Sequence, residues 1–133
     1  TPYSEDLERS LQLLIFDEIK KAPTYPIEIP KPKDKRLILI CDYLINNPNN
    51  AKELNIWADE IGTSPRTLIR LFKKETGLSY RGWIQQMHIV LALSQLAKGK
   101  SISHISASLG YTSQSAFSAM FKRHLGHPPQ SFK

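Results

Sequence analysis

Sulfur is scarce in this 133-residue chain, which holds one cysteine, Cys41, and two methionines. A lone cysteine excludes an internal disulfide, and its place in the apolar run "RLILICDYLI" suits a small buried thiol better than a reactive one. Long hydrophobic stretches are missing as well. Nothing approaches the roughly 18 consecutive apolar residues of a membrane span, and the amino terminus lacks the basic-then-apolar layout of a secretory signal. A cytoplasmic protein with no membrane partner is expected. The chain starts at Thr1 without a methionine, so it is expected to be a piece of something longer. Glycine-rich phosphate loops and paired-carboxylate clusters do not occur. His124 and His127 lie three apart, but no further metal ligand is suitably spaced. These absences argue against an enzyme, a metal and a cofactor.

Acid is the most telling shortage. Residues 63–133 contain one, Glu75, against ten bases, whereas residues 1–33 hold six acids and five bases. The overall charge of +6 is therefore concentrated toward the carboxyl end. Such a bias is the footprint of a polyanion binder, with nucleic acid ahead of anionic lipid. Charge alone does not separate that reading from a merely solvated basic surface, so the patterning of the basic residues has to.

The patterning is helical throughout, and a hydrophobic fraction of 41% is enough for a core. Residues 4–21, "SEDLERSLQLLIFDEIKK", predict an amphipathic helix with a stripe of Leu7, Leu11, Leu14 and Ile15. Pro23, Pro26, Pro30 and Pro32 then exclude helix and predict a semi-rigid linker. Asp34 caps a helix over about 35–47, with Leu37, Ile40, Cys41, Leu44 and Ile45 facing a core. Further helices are expected over about 52–61, from Ser64 and Pro65 to about 75, from Ser79 to 98, from Ser101 toward Gly110, and from Ser113 to 125. A last partial turn follows Pro128 and Pro129.

Within this run one unit occurs twice. "SPRTLIRLFKKETG" (64–77) aligns with "SQSAFSAMFKRHLG" (113–126) at an offset of 49, and the preceding Ala58, Ile61 and Gly62 align with Ser106, Leu109 and Gly110 at 48. The second turn, "GYTS" against "GTS", is thus longer by one residue. A short helix, a glycine-containing turn and a second helix make a helix-turn-helix. The small residue at 58 or 106 lets the two helices approach, and apolar residues at 61, 68, 71 and 72 hold the crossing. Neither pair has enough core alone, so the helix over 79–98 serves as the strut between them. With 68, 71 and 72 buried, Arg66, Ile69, Arg70 and Lys73 share the opposite face. Arginine can grip guanine O6 and N7, isoleucine can meet a thymine methyl, and lysine can neutralise phosphate. The matching face of the second copy is Ser115, Ser118, Ala119 and Lys122, preceded by Gln114.

The stretches "WADEIGTSPRTLIRLFKKETGLS" (57–79) and "SISHISASLGYTSQSAFSAMFKRHLGHPP" (101–129) resemble the DNA-binding domain of the AraC/XylS family of bacterial transcriptional regulators, from about residue 36 to 133. The resemblance implies an all-α fold of two helix-turn-helix motifs, about 52–76 and 101–125, joined by a connecting helix over about 79–98. Residues 34–133 would form that domain, and residues 1–33 the tail of a missing sensing or dimerisation domain. It implies sequence-specific binding of double-stranded promoter DNA, with bases met by Arg66, Ile69, Arg70, Gln114, Ser115, Ser118 and Ala119. Phosphates would fall to Ser64, Thr67, Lys73, Lys74, Thr112, Ser113, Lys122 and Arg123. RNA polymerase is the implied protein partner, the fragment a monomer, and the full-length protein a dimer through its missing domain. A basic helical module docking on an acidic protein such as the polymerase is the alternative. The chain departs from the family at Ala119 and His88, where arginine is usual, and at Ser106, where alanine is. Val90 and Leu91 replace charged residues and either widen the buried stripe or form a surface for a partner.

Overall fold

The computed structural model describes residues 27–132, so the helix expected over 4–21 lies outside the described residues. Six helices follow in order: α1 (Lys35–Asn46), α2 (Leu54–Ile61), α3 (Pro65–Thr76), α4 (Tyr80–Ala97), α5 (Ile102–Ser108) and α6 (Gln114–Leu125). A 3-10 turn, Pro129–Phe132, completes the series, and no strand occurs among the described residues. The boundaries follow from side-chain capping. Asp34 accepts from the Arg36 N–H, and Ser64, Ser79, Ser101 and Ser113 accept from the N–H of Thr67, Gly82, His104 and Ala116. Each such cap satisfies a donor the helix cannot, at about 1 kcal/mol. α2 starts at Leu54 rather than 52, after Glu53, which makes no side-chain cap, and α5 ends at Ser108 with Leu109 as its C-cap, just before Gly110.

Two apolar clusters form the interior. The first gathers Leu37, Ile40, Cys41 and Leu44 of α1, Trp57 and Ala58 of α2, Leu68 and Phe72 of α3, and Trp83 and Met87 of α4. The second gathers Ile89, Ala92 and Leu96 of α4 with Ile102, Ile105, Leu109, Phe117, Met120 and Phe121. α4 thus leaves one core after Met87 and enters the other at Ile89, as a strut requires. Leu91 packs against both clusters, so it widens the buried stripe; Val90 is half-buried. Ile45, expected in the core, is only half-buried at its edge. Burial pushes the Cys41 thiol up to about 12, which makes it inert.

Residues 27–33, the described part of the expected linker, lie across the helices. Ile29 packs on the first cluster and Ile27 on the second. Trp83 Nε1 donates to the Pro30 carbonyl at 2.8 Å, and Gln86 Nε2 to the Glu28 carbonyl at 2.8 Å. The strap is fastened by Glu75, whose Oε1 accepts from the Lys33 and Asp34 N–H groups at 2.7 and 2.9 Å. Those backbone donors hold the Glu75 carboxyl below its ordinary range. The one acid of the basic region therefore turns to backbone donors of the strap and forms no ion pair with an α3 cation among the described residues.

Candidate nucleic-acid interface

Both helix pairs are closed by the same contact. In the first, the N–H groups of Gly62 and Thr63 donate to the Ala58 carbonyl at 2.9 Å each; in the second, the Tyr111 N–H donates to the Ser106 carbonyl at 3.0 Å. Thr63 and Tyr111 are equivalent, so the extra residue of the second turn is Thr112, set between the closed turn and the Ser113 cap. Ala58 and Ser106 are both buried, as close helix approach demands. The Ser106 hydroxyl donates to the Ser103 carbonyl at 3.0 Å, which satisfies its polar atom within its own helix.

On α3 the outer face carries Arg66, Ile69, Arg70, Lys73 and Lys74, all exposed, over a buried face of Leu68 and Phe72. Ile69 is 54% exposed, a large apolar side chain held out into solvent. None of these four cations forms an ion pair among the described residues, where Arg36–Asp34 and Lys52–Glu60 are the pairs present. Ser64 and Thr67 are partly committed to the helix start, with hydroxyls 2.9 Å apart, and Thr67 is half-buried. On α6 and the turn before it, Thr112, Ser113, Gln114, Ser115, Ala119, Lys122 and Arg123 are exposed, and Phe117, Met120 and Phe121 form the buried face. Ser118 is half-buried: its short side chain scarcely clears the helix surface, whereas Ile69 at the equivalent position projects beyond it.

His88, where the family usually carries arginine, has no role legible from the sequence pattern. It is buried on α4, and its ring bonds to both the Pro48 carbonyl and the Tyr111 hydroxyl. Burial holds its pKa below the ordinary value of 6.5. Beside it lies a cleft of about 360 Å³ whose lining includes Asn49, Arg81, Gln85 and Gly110. A histidine inside the otherwise apolar "MHIV" was the only sequence signal. His124, considered above as a metal ligand, pairs with Gln85 Oε1 at 2.9 Å. Among the described residues no helix is long and apolar enough to cross a membrane.

Comparison with known proteins agrees with this geometry. A family profile described as a helix-turn-helix domain matches residues 57–133. The transcriptional regulator NimR of Escherichia coli K12 is 35% identical over 129 residues, which is 97% of this chain and 47% of that protein. The chain thus spans about half the length of that relative, and 37% of the regulator RipA of Corynebacterium glutamicum, to which it is 33% identical over 96% of its own length. The crystal structure of a transcriptional regulator with an AraC-type DNA-binding domain from Chromobacterium violaceum superposes with a TM-score of 0.63 at 26% identity, over 72% of this chain and 87% of that one. Two turns that close alike, an unpaired basic face on α3, an acid-free face on α6 and these likenesses lead to one assignment: the chain belongs to the AraC/XylS family of transcriptional regulators, a family of DNA binders rather than enzymes, and carries its helix-turn-helix DNA-binding domain.

Proposed function

We propose that α3 and α6 enter successive major grooves on one face of double-stranded promoter DNA, about 34 Å or one helical turn apart. The observation that carries this reading is the pair of exposed, acid-free outer faces on helices that follow equivalent closed turns from a shared strut. Arg66, Ile69 and Arg70 read base edges from α3 by hydrogen bonds and methyl contact. Gln114, Ser115 and Ala119 do so from α6, with Ser118 contributing less because it is half withdrawn. Ser64, Thr67, Lys73, Lys74, Thr112, Ser113, Lys122 and Arg123 hold the phosphates on either side. Residues 34–133 act as the DNA-binding unit, overlaid by the strap, and a sensing or dimerisation domain precedes them in the full-length regulator. Contact with RNA polymerase belongs to that whole protein.

The test separates base reading from phosphate holding. Arg70→Ala loses about 1–3 kcal/mol on the best duplex and relaxes preference at one base pair. Lys73→Ala weakens all sequences alike and lowers the salt slope by about one. Titrations on matched and mismatched duplexes at two salt concentrations distinguish them, and identical behaviour of the two variants would refute the assignment. A gel shift under heparin competition that leaves no footprint on any promoter fragment would favour docking on an acidic protein instead.

A further inference from the structure

Two reading helices act as a unit only when their separation and relative rotation are fixed. α4 sets the distance along its own axis, but a single helix running between two separate cores leaves rotation about that axis to be resisted by other contacts. The cleft beside α4 shows that apolar packing does not close the gap there. The strap joins the halves through Ile29 on the first cluster and Ile27 on the second, and what crosses at the cleft is the loop between α1 and α2 meeting the turn between α5 and α6. Gly110 lies so close to that loop that an added Cβ would stand 3.0 Å from Asn49 Cα and 3.1 Å from its carbonyl oxygen.

The His88 imidazole joins these two segments. Its Nε2 lies 2.8 Å from the Pro48 carbonyl, which can only accept, so Nε2 carries the proton. Nδ1 is then an acceptor and takes the Tyr111 O–H at 2.8 Å. One neutral tautomer satisfies both bonds, and burial, which keeps the ring uncharged and the phenol protonated, favours it. The Tyr111 ring is held in turn against His88 and Phe117, with centroids 5.3 and 5.5 Å away. Thr63, the equivalent residue of the first turn, has no ring or phenol to offer. The second turn therefore holds a tyrosine where the first has Thr63, and Thr112 sets that tyrosine one residue further from the serine cap than Thr63 is from Ser64.

We propose that His88 is a positioning residue: it latches the α1–α2 loop to the α5–α6 turn and thereby fixes the geometry between α3 and α6, which selects the separation of the two DNA half-sites. The half-site part rests on both helices reading DNA; the latch itself does not. Both cores are complete without it, so its loss loosens one half against the other and leaves each half folded.

The test uses the 133-residue chain labelled with spin probes through Lys74→Cys and Ala116→Cys, both exposed, while native Cys41 is buried beyond reach of the label. Without DNA, the distance distribution between the labels is expected to be narrow. It broadens in His88→Leu and in Tyr111→Phe, and stays narrow in His88→Gln, which keeps a donor and an acceptor on one planar group. An unchanged width in Tyr111→Phe and His88→Leu overturns the latch; should the leucine variant fail to fold, the phenylalanine variant, lacking one oxygen, decides alone. Selection from a random duplex library then reads the consequence. The native chain yields two half-sites at one separation. His88→Leu yields the same half-sites at several separations and binds the native-selected duplex about tenfold more weakly, a difference of about 1.4 kcal/mol, because only part of its broadened population holds the native separation. If the native chain selects no two-part site, the two-reader proposal fails, and the label distances still decide the latch.

Discussion

Gly62 and Gly110 close equivalent turns at nearly the same backbone angle, φ +85° and +87°, yet they differ in what surrounds them. At Gly62 an added Cβ would meet nothing within 4 Å, so Gly62→Ala bears only the left-handed conformation. That costs about 1–2 kcal/mol, offset by about 0.4–1 kcal/mol through the stiffer unfolded chain. The net loss is about 1 kcal/mol. Gly110→Ala bears the same backbone cost and also drives a methyl group against Asn49 Cα and its carbonyl. Those are backbone atoms, next to a Pro48 carbonyl already held by His88, so they cannot swing aside as the end of a long side chain would. Overpacking of this kind adds about 1–3 kcal/mol, for a total of about 2–4 kcal/mol. Urea unfolding of the two variants side by side measures the difference; with a slope of about 1–3 kcal/mol per molar, Gly110→Ala unfolds at clearly lower urea. Equal losses would refute the close approach of the two halves at this turn.

Tyr80→Phe is expected to lose about 1–3 kcal/mol in the same assay, because the Tyr80 hydroxyl both accepts from Trp57 Nε1 at 3.0 Å and donates to the Lys52 carbonyl at 2.6 Å. Cys41 should resist thiol reagents at pH 8 in the folded chain and react fully in denaturant, since burial keeps its thiol protonated up to about pH 12. Stability should fall as pH drops through 6.5, because the unfolded chain binds a proton at His88 before the folded one does. The surroundings of His88, with the Tyr111 phenol bonded to it and the Arg81 guanidinium lining the same cleft, offer no carboxylate to favour the charged ring. His124 is lowered in the same direction, so the part of the slope that disappears in His88→Gln is the part due to His88. Glu75→Ala should speed tryptic cleavage after Lys33, as measured by mass spectrometry, because it removes the acceptor of two strap N–H groups.

Local signals account for most of what the sequence determined unaided. A serine or aspartate at each capped helix start, a glycine at the ends of α2, α3 and α6, and apolar residues three and four apart specify helices whatever the neighbours, because capping and periodicity act within a few residues. The outward course of Arg66, Ile69 and Arg70 followed from the same periodicity, once Leu68 and Phe72 were assigned inward. Tertiary structure alone decided the rest. Proline explains why residues 27–33 are not helical, but only folding supplies Trp83, Gln86 and Glu75 to bind their free backbone groups. Nothing in the local pattern aims His88 at Pro48 and Tyr111, because those partners lie 40 and 23 residues away and meet it only when both halves have packed on α4. Periodicity is a property of neighbouring residues along one helix; the spacing between two helices is set by contacts between segments distant in the chain.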